Sequence, residues 1–273
     1  MGKSSVVVEQ VSQELMSLLD SGKQTRPFSQ RYQDFGLTEA YRVVENVRHL
    51  RAERGDKSVG RKIGFTNRAI WKSKGISAPI WNYVFDSTVI ETGVGEASID
   101  ARTLPEAKIE PEVVLHLSKR PAPGMSVAEV AECIDWAAPG FEIVFSIFPN
   151  WDFAAADAAA AYGVHAALFV GEPMPIGKNL SDRIKALSTF TTCLSCDDGV
   201  TRLGSGADVL GGPLQALVYL IAELENYAGC QPLQAGELVT TGTLTEAMPI
   251  RVGQKWTASF EGIDFRPLHL SVR

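Results

Sequence analysis

Apolar residues near the start of the chain recur at helical spacing. Val7, Val8, Val11, Leu15, Leu18 and Leu19 fall on one face, which predicts an amphipathic helix. After a polar loop, LTEAYRVVENVRHLRAERG repeats the pattern through Tyr41, Val44, Val47 and Leu50, with Gly55 as its stop. Between about residues 58 and 120 that period is lost. Short apolar runs alternate there with Gly and Pro, which predicts irregular strands and loops. Beyond residue 120, helical and extended patterns alternate. MSVAEVAECIDWAAPG opens with a capping box, Ser126 with Glu129, and Met125 is placed to staple onto Val130. GGPLQALVYLIAELENYAG has Pro213 in its first turn, Gly229 past its end, and an apolar stripe of Leu214, Leu217, Val218, Ile221 and Leu224. From Gly236 onward the chain reads as short strands separated by glycine. No fixed-period repeat or long linker is present, so the chain divides into a helical region, 1–57, and a β-rich region, 58–273.

Charged residues break the apolar pattern in three places. KIEPEVVLHL, residues 108–117, reads as a strand with Ile109, Val113 and Leu115 on one face and Glu110 and Glu112 on the other. Two carboxylates about 7 Å apart along a strand repel each other in a low dielectric, and burying them requires a cation, a proton or basic partners. An isolated E-x-E is equally readable as the wet face of an edge strand. PGFEIVFSIFPNW, residues 139–151, puts Glu142 among Phe141, Ile143 and Phe145, where a lone acid is costly unless compensated. Three such acids on neighbouring strands would form a hard-oxygen site suited to Mg²⁺ or Mn²⁺. Lys62 sits in VGRKIGFTNRA between Val59 and Ile63–Phe65, either as a snorkelling surface lysine or as a partly desolvated amine able to titrate toward neutrality.

Composition narrows the classes. The 273 residues carry a net charge of −6, with 45% hydrophobic and 21% charged residues, an ordinary soluble profile. An acidic chain disfavours nucleic-acid or anionic-membrane partners. There is no apolar run of about 18 residues to span a membrane, and the N-terminal stretch reads as a helix rather than a signal peptide. Four cysteines are too few for a disulfide scaffold and suit a reducing cytoplasm. The Cys193–Cys196 pair lies in LSTFTTCLSCDDGVTRL; on a strand those two side chains face opposite ways. His165 reads as a core histidine, His49 as solvated, and His116 as a residue that could border the acids from the same strand face.

Taken in order, G-R-K-I-G-F-T, K-I-E-P-E, F-E-I-V-F-S, V-L-G-G-P-L and T-G-T resemble the fumarylacetoacetate hydrolase superfamily, and within it the 2-keto-4-pentenoate hydratase and 4-oxalocrotonate decarboxylase branch. The resemblance runs from about residue 10 to the C-terminus. It implies an α+β fold: a mixed rolled β-sheet, like the C-terminal domain of fumarylacetoacetate hydrolase, with an N-terminal helical region. It implies a Mg²⁺ or Mn²⁺ site at Glu110, Glu112 and Glu142, a catalytic Lys62, a substrate-carboxylate loop at Thr241, Gly242 and Thr243, and a second catalytic acid at Asp86, following a mobile loop near 70–85. Phe65, Trp71, Ile76, Trp81 and Phe85 suit an apolar lid or core packing. Three departures stand out. Phe145 and Ile147 replace a charged pair of the branch, L-G-H-P-L becomes L-G-G-P-L, and the A-D-N-A-S segment gives way to a stretch offering Asp157 and His165. The implied activity is a hydro-lyase adding water to a 2-hydroxy-2,4-dienoate in the catabolism of aromatic compounds, in a cytoplasmic homo-oligomer. Decarboxylation of a 2-oxo-3-enedioate, C–C hydrolysis of an acylpyruvate, or a non-catalytic binding subunit are the alternatives.

Overall fold

KIEPEVVLHL forms a ten-residue strand and sits near the middle of the larger of two sheets. The computed structural model describes residues 3–19, 21–93, 95–177 and 179–273. Its strands are β1 (Ser58–Gly64), β2 (Ile80–Phe85), β3 (Val89–Gly93), β4 (Glu96–Ile99), β5 (Lys108–Leu117), β6 (Ile134–Val144), β7 (His165–Gly171), β8 (Met174–Pro175), β9 (Thr191–Cys196), β10 (Thr201–Ser205), β11 (Leu238–Thr240), β12 (Met248–Pro249), β13 (Lys255–Glu261) and β14 (Leu268–Val272). The helices are α1 (Lys3–Leu18), α2 (Phe28–Arg31), α3 (Leu37–Glu53), α4 (Trp71–Lys74), α5 (Val127–Ala131), α6 (Ala155–Ala160), α7 (Leu180–Thr189) and α8 (Pro213–Glu223).

The larger sheet runs β2-β1-β11-β5-β6-β7-β3, with β12 added to β5 and β8 to β6; the smaller runs β10-β9-β13-β14-β4. Val84 of β2 shares an apolar cluster with Val114, Ala138, and Leu168 and Val170 of β7. Residues from near opposite ends of the strand order meet, so the large sheet is rolled. Its outer face is covered twice. Ile109, Phe141 and Ile143 pack with Leu194, Trp256, Leu268 and Leu270 of the small sheet, while Val113 and Leu115 join the helices in the main core. Tyr41 of α3 stacks on Trp81 at 4.9 Å. The inner face carries the acids.

One irregularity positions the site. β11 pairs with Val114–His116 and β12 with Lys108–Ile109, so that edge of β5 is unpaired by strands over the four residues between. The loop joining β11 to β12 fills the gap, with Thr241 N donating to Val113 O and Leu244 N to Pro111 O. A strand residue projects its N–H and C=O to the same side. Pro111, lacking an N–H, therefore faces the loop and costs no bond to β6, which explains a proline inside a central strand.

The first two predicted helices form as α1 and α3, the earliest two residues lying outside the described set. The capping box is present, Glu129 N donating to Ser126 Oγ at 3.3 Å and Ser126 N to Glu129 Oε2 at 2.8 Å. Its helix is short: α5 stops at Ala131, and DWAAPG enters the eleven-residue β6, where pairing along all of β5 overrides local propensity. Cys193 and Cys196 lie on β9 as free thiols, Cys196 buried and pushed up to about 11 by burial, the condition of an unreactive thiol. Among the described residues no helix is long and apolar enough to cross a membrane.

Candidate metal centre and active site

Register brings the acids together. Glu110 of β5 lies directly opposite Glu142 of β6, and like charges in that relation repel. Glu112, two residues on, projects to the same inner face. One carboxylate oxygen from each of the three lies within 4.8 Å of the others. Glu112 and Glu142 are fully buried and Glu110 partly so. Among the described residues Glu112 Oε1 has no hydrogen-bond partner. Buried carboxylate oxygens from Glu112 and Glu142 beside a third acid fit a hard divalent cation held by oxygen.

Each acid is held differently. Lys62 on β1 places Nζ 3.2 Å from Glu142 Oε2 and donates to Gly163 O at 2.9 Å. His165, the first residue of β7, meets Glu142 Oε1 through Nδ1 at 2.7 Å. Glu112 Oε2 accepts from the Thr240 hydroxyl and from Gly242 N at 2.8 Å. Burial disfavours charge on all three acids, but Lys62 and His165 outweigh it at Glu142, whose carboxyl is held below its ordinary range. Glu110 is pushed up to about 7, chiefly by burial, against the pull of Lys62 and with the charge of Glu142 adding to the rise. Glu112 is also held well above its ordinary range, by burial and then by the other two acids. For Lys62 burial favours the neutral amine, yet the attraction of Glu142, Glu110 and Glu112 prevails and raises its pKa. The lysine titrating toward neutrality that desolvation alone suggests is therefore not what the metal-free protein holds; three acids keep the ammonium charged.

Those shifts predict an unusual pH response. A carboxyl whose folded pKa is raised contributes stability while it is protonated, and that contribution fades as pH climbs from the ordinary value of 4.5 through about 7. The melting temperature of metal-free protein is expected to fall between about pH 5 and 8 and to recover on adding Mg²⁺, which replaces the protons. Calorimetry at several pH values tests this. A metal-free melting temperature that is flat or rises over that window contradicts it.

In the loop Thr241–Thr243, which the resemblance gave to the substrate carboxylate, the glycine amide is engaged with Glu112. Gly242 has φ of +106°, and an added Cβ would come within 2.3 Å of Thr66 Oγ1 and 2.9 Å of Thr66 Cβ. Gly242→Ala is expected to cost about 1–3 kcal/mol of stability and to weaken metal binding by displacing the amide from Glu112. An unchanged urea midpoint would refute it.

Relatives share this arrangement of elements. No family model matches the chain. A 2-keto-4-pentenoate hydratase of Dechloromonas aromatica (strain RCB) is 31% identical over 247 residues, covering 89% of either chain. A 4-oxalocrotonate decarboxylase of Pseudomonas sp is 31% identical over 248 residues, covering 90% of this chain and 91% of the relative. The chain belongs to the 2-keto-4-pentenoate hydratase and 4-oxalocrotonate decarboxylase family. The fold agrees with that family: the solved 4-oxalocrotonate decarboxylase from Pseudomonas putida G7, complexed with magnesium and adipate, superposes with a TM-score of 0.87 at 23% identity, over 100% of this chain and 99% of that one. The wider fumarylacetoacetate hydrolase fold is represented by fumarylpyruvate hydrolase from Pseudomonas aeruginosa in complex with Mn²⁺ and pyruvate, with a TM-score of 0.56 at 13% identity, over 78% and 88% of the two chains.

Against this family background, other candidate residues fall elsewhere. Asp86 is exposed, and its Oδ1 accepts from Lys57 N and Ser87 N at 2.9 Å each. It lies four residues along from Asn82, the partner of Lys62 in register, so the structure does not bring it to the glutamates. It lines a cavity of about 620 Å³ together with His116 and Trp136, and none of the three glutamates lines it. His116 stacks on Trp136 at 4.9 Å and bonds Asp135 at 2.6 Å. Of the apolar lid candidates, Trp81 and Phe85 are core residues, while Phe65, Trp71 and Ile76 are partly buried on the surface of that core. Asp157 is buried and accepts from Ser29 N at 2.8 Å, Ser29 Oγ at 2.6 Å and Ala154 N at 2.9 Å; it ties α2 to α6. His165, read from sequence as a core histidine, is in contact with a candidate ligand. Its signal in the sequence was only its place at the head of a buried strand, and its neighbour across β6 cannot be read from spacing.

Proposed function

We propose that this chain is a divalent-metal-dependent hydro-lyase that adds water to a 2-hydroxy-2,4-dienoate, giving a 4-hydroxy-2-oxo acid in the breakdown of aromatic compounds, with Glu110, Glu112 and Glu142 holding Mg²⁺ or Mn²⁺. The observation that carries the reading is the triad of carboxylates, two of them fully buried, whose oxygens lie within 4.8 Å of one another beside a charged lysine. A divalent ion bound there supplies a Lewis acid for the carboxylate and 2-oxo oxygens of such a substrate. Lys62 holds a proton near the enol oxygen and stabilises the charge that develops as the dienol tautomerises to the 2-oxo-3-enoate that accepts water at C4. The loop Thr241–Thr243 is read as lying against the substrate carboxylate, with the Thr241 amide already bonded to Val113 O and the Gly242 amide to Glu112. The rolled sheet and its apolar cluster exclude water from one side of the acids. Asp86, distant from Lys62, is left out of this scheme. The enzyme is read as a cytoplasmic homo-oligomer with no nucleic-acid or membrane partner.

Decarboxylation is the second reading, because relatives of equal identity carry that name and both reactions pass through the same enolate. A panel of 2-hydroxydienoates, 2-oxo-enedioates and acylpyruvates with Mg²⁺ separates them. Loss of ultraviolet absorbance without CO₂ is the predicted result. CO₂ release assigns decarboxylation, and two acid fragments assign C–C hydrolysis. Metal-dependent stabilisation without any turnover would replace the enzyme reading by that of a binding subunit.

A further inference from the structure

A strained turn leads into the site. Tyr162, Gly163 and Val164 have φ of 56°, 59° and 60° in succession. A β-branched residue in the left-handed region is an outlier, and such conformations persist only where the surroundings impose them. Here the Tyr162 hydroxyl donates to Leu15 O, Phe145 N donates to Val164 O at 2.8 Å, and Val164 N to Ala161 O at 2.8 Å. Two contacts result. The Gly163 carbonyl points at the Lys62 ammonium, with no room for a side chain: an added Cβ would lie 2.8 Å from Lys62 Cδ. The next residue, His165, is delivered onto Glu142.

The hydrogen bonds divide the Glu142 carboxylate. Oε1 faces His165 Nδ1 at 2.7 Å, while Oε2 faces the Lys62 ammonium at 3.2 Å. His165 is itself fixed, since its Nε2 meets Thr88 Oγ1 at 2.9 Å. The carboxylate has no hydrogen to give, so Nδ1 carries it. We propose that His165 is a positioning residue: its Nδ1–H holds Glu142 in the rotamer that offers Oε2 to the metal, and the left-handed turn before it exists to place that ring and the Lys62 ammonium together. This rests on the metal reading above and adds to it a residue outside the ligand set. Groups that orient metal ligands in this way change affinity by about 10–100-fold when removed.

The test is the Mn²⁺ dissociation constant of the metal-free protein, followed by the electron paramagnetic resonance of free Mn²⁺, for wild type, His165→Ala, His165→Asn and His165→Gln. The amide nitrogen of Asn occupies the place of Nδ1, whereas that of Gln occupies the place of Nε2. His165→Ala and His165→Gln are expected to bind Mn²⁺ about 10–100-fold more weakly, and His165→Asn within about threefold of wild type. Circular dichroism of each variant records whether it is folded. Wild-type affinity in a folded His165→Ala, or no rescue in a folded His165→Asn, overturns the positioning role while leaving the metal site standing. Failure of wild type itself to bind Mn²⁺ overturns the metal reading instead.

Discussion

Glu142→Gln is expected to lower kcat/KM by about a thousandfold or more, because a bound cation supplies several kcal/mol of charge stabilisation and each 1.36 kcal/mol is a factor of ten. The same change is expected to destabilise the metal-free protein. Lys62, almost wholly buried, loses its ionised partner at 3.2 Å, and His165 loses a charged acceptor. Removing one member of a buried pair costs about 3–5 kcal/mol. Urea unfolding with and without Mg²⁺, beside steady-state kinetics, measures both effects. Retention of activity within tenfold would exclude Glu142 from the site.

Glu112→Gln is expected to lose activity to a similar degree and to move stability the other way. Among the described residues Glu112 forms no ion pair with a cation, and burial and the neighbouring acids raise its pKa. Glutamine keeps an oxygen for the Thr240 hydroxyl and Gly242 N, and its amide group can face the unpartnered side. The metal-free protein at about pH 8 should gain about 1–4 kcal/mol, the range found when buried ionic groups are replaced by neutral ones of similar volume, while the Mg²⁺-dependent gain disappears. A destabilised metal-free Glu112→Gln, at a pH where wild type is folded, would show that the three acids do not strain one another. The contrast between the two glutamates comes from unequal partners: Glu142 has Lys62 and His165, and Glu112 has only neutral donors.

Much of the fold was legible because its periods are strong. α1, α3 and α8 follow from stripes at helical spacing, and β5 from a short apolar run with both its acids on one face. The three acids were legible because a charged residue inside an apolar run demands an explanation that burial alone refuses. Their register was not. Spacing puts Glu110 and Glu112 on one face, but only pairing with β6 sets Glu110 opposite Glu142. The end of α5 was not legible, because ECIDWAAPG is compatible with a helix until β5 offers it a partner along its length. Asp86 illustrates the opposite difficulty. Its place in the sequence after an apolar strand matches the family pattern, whereas its carboxylate accepts two backbone N–H groups at the start of a 3₁₀ turn. His165 escaped because its importance lies in two partners, Glu142 and Thr88, that are 23 and 77 residues away, and because the turn that delivers it uses a backbone conformation that Val164 gives no cause to expect.

Anomalous diffraction from crystals of the protein equilibrated with Mn²⁺ addresses the central claim most directly. One peak is predicted between β5 and β6, with an oxygen from each of Glu110, Glu112 and Glu142 at about 2.0–2.2 Å. A density map without a peak there at saturating Mn²⁺, with the three carboxylates still gathered around Lys62, would contradict it.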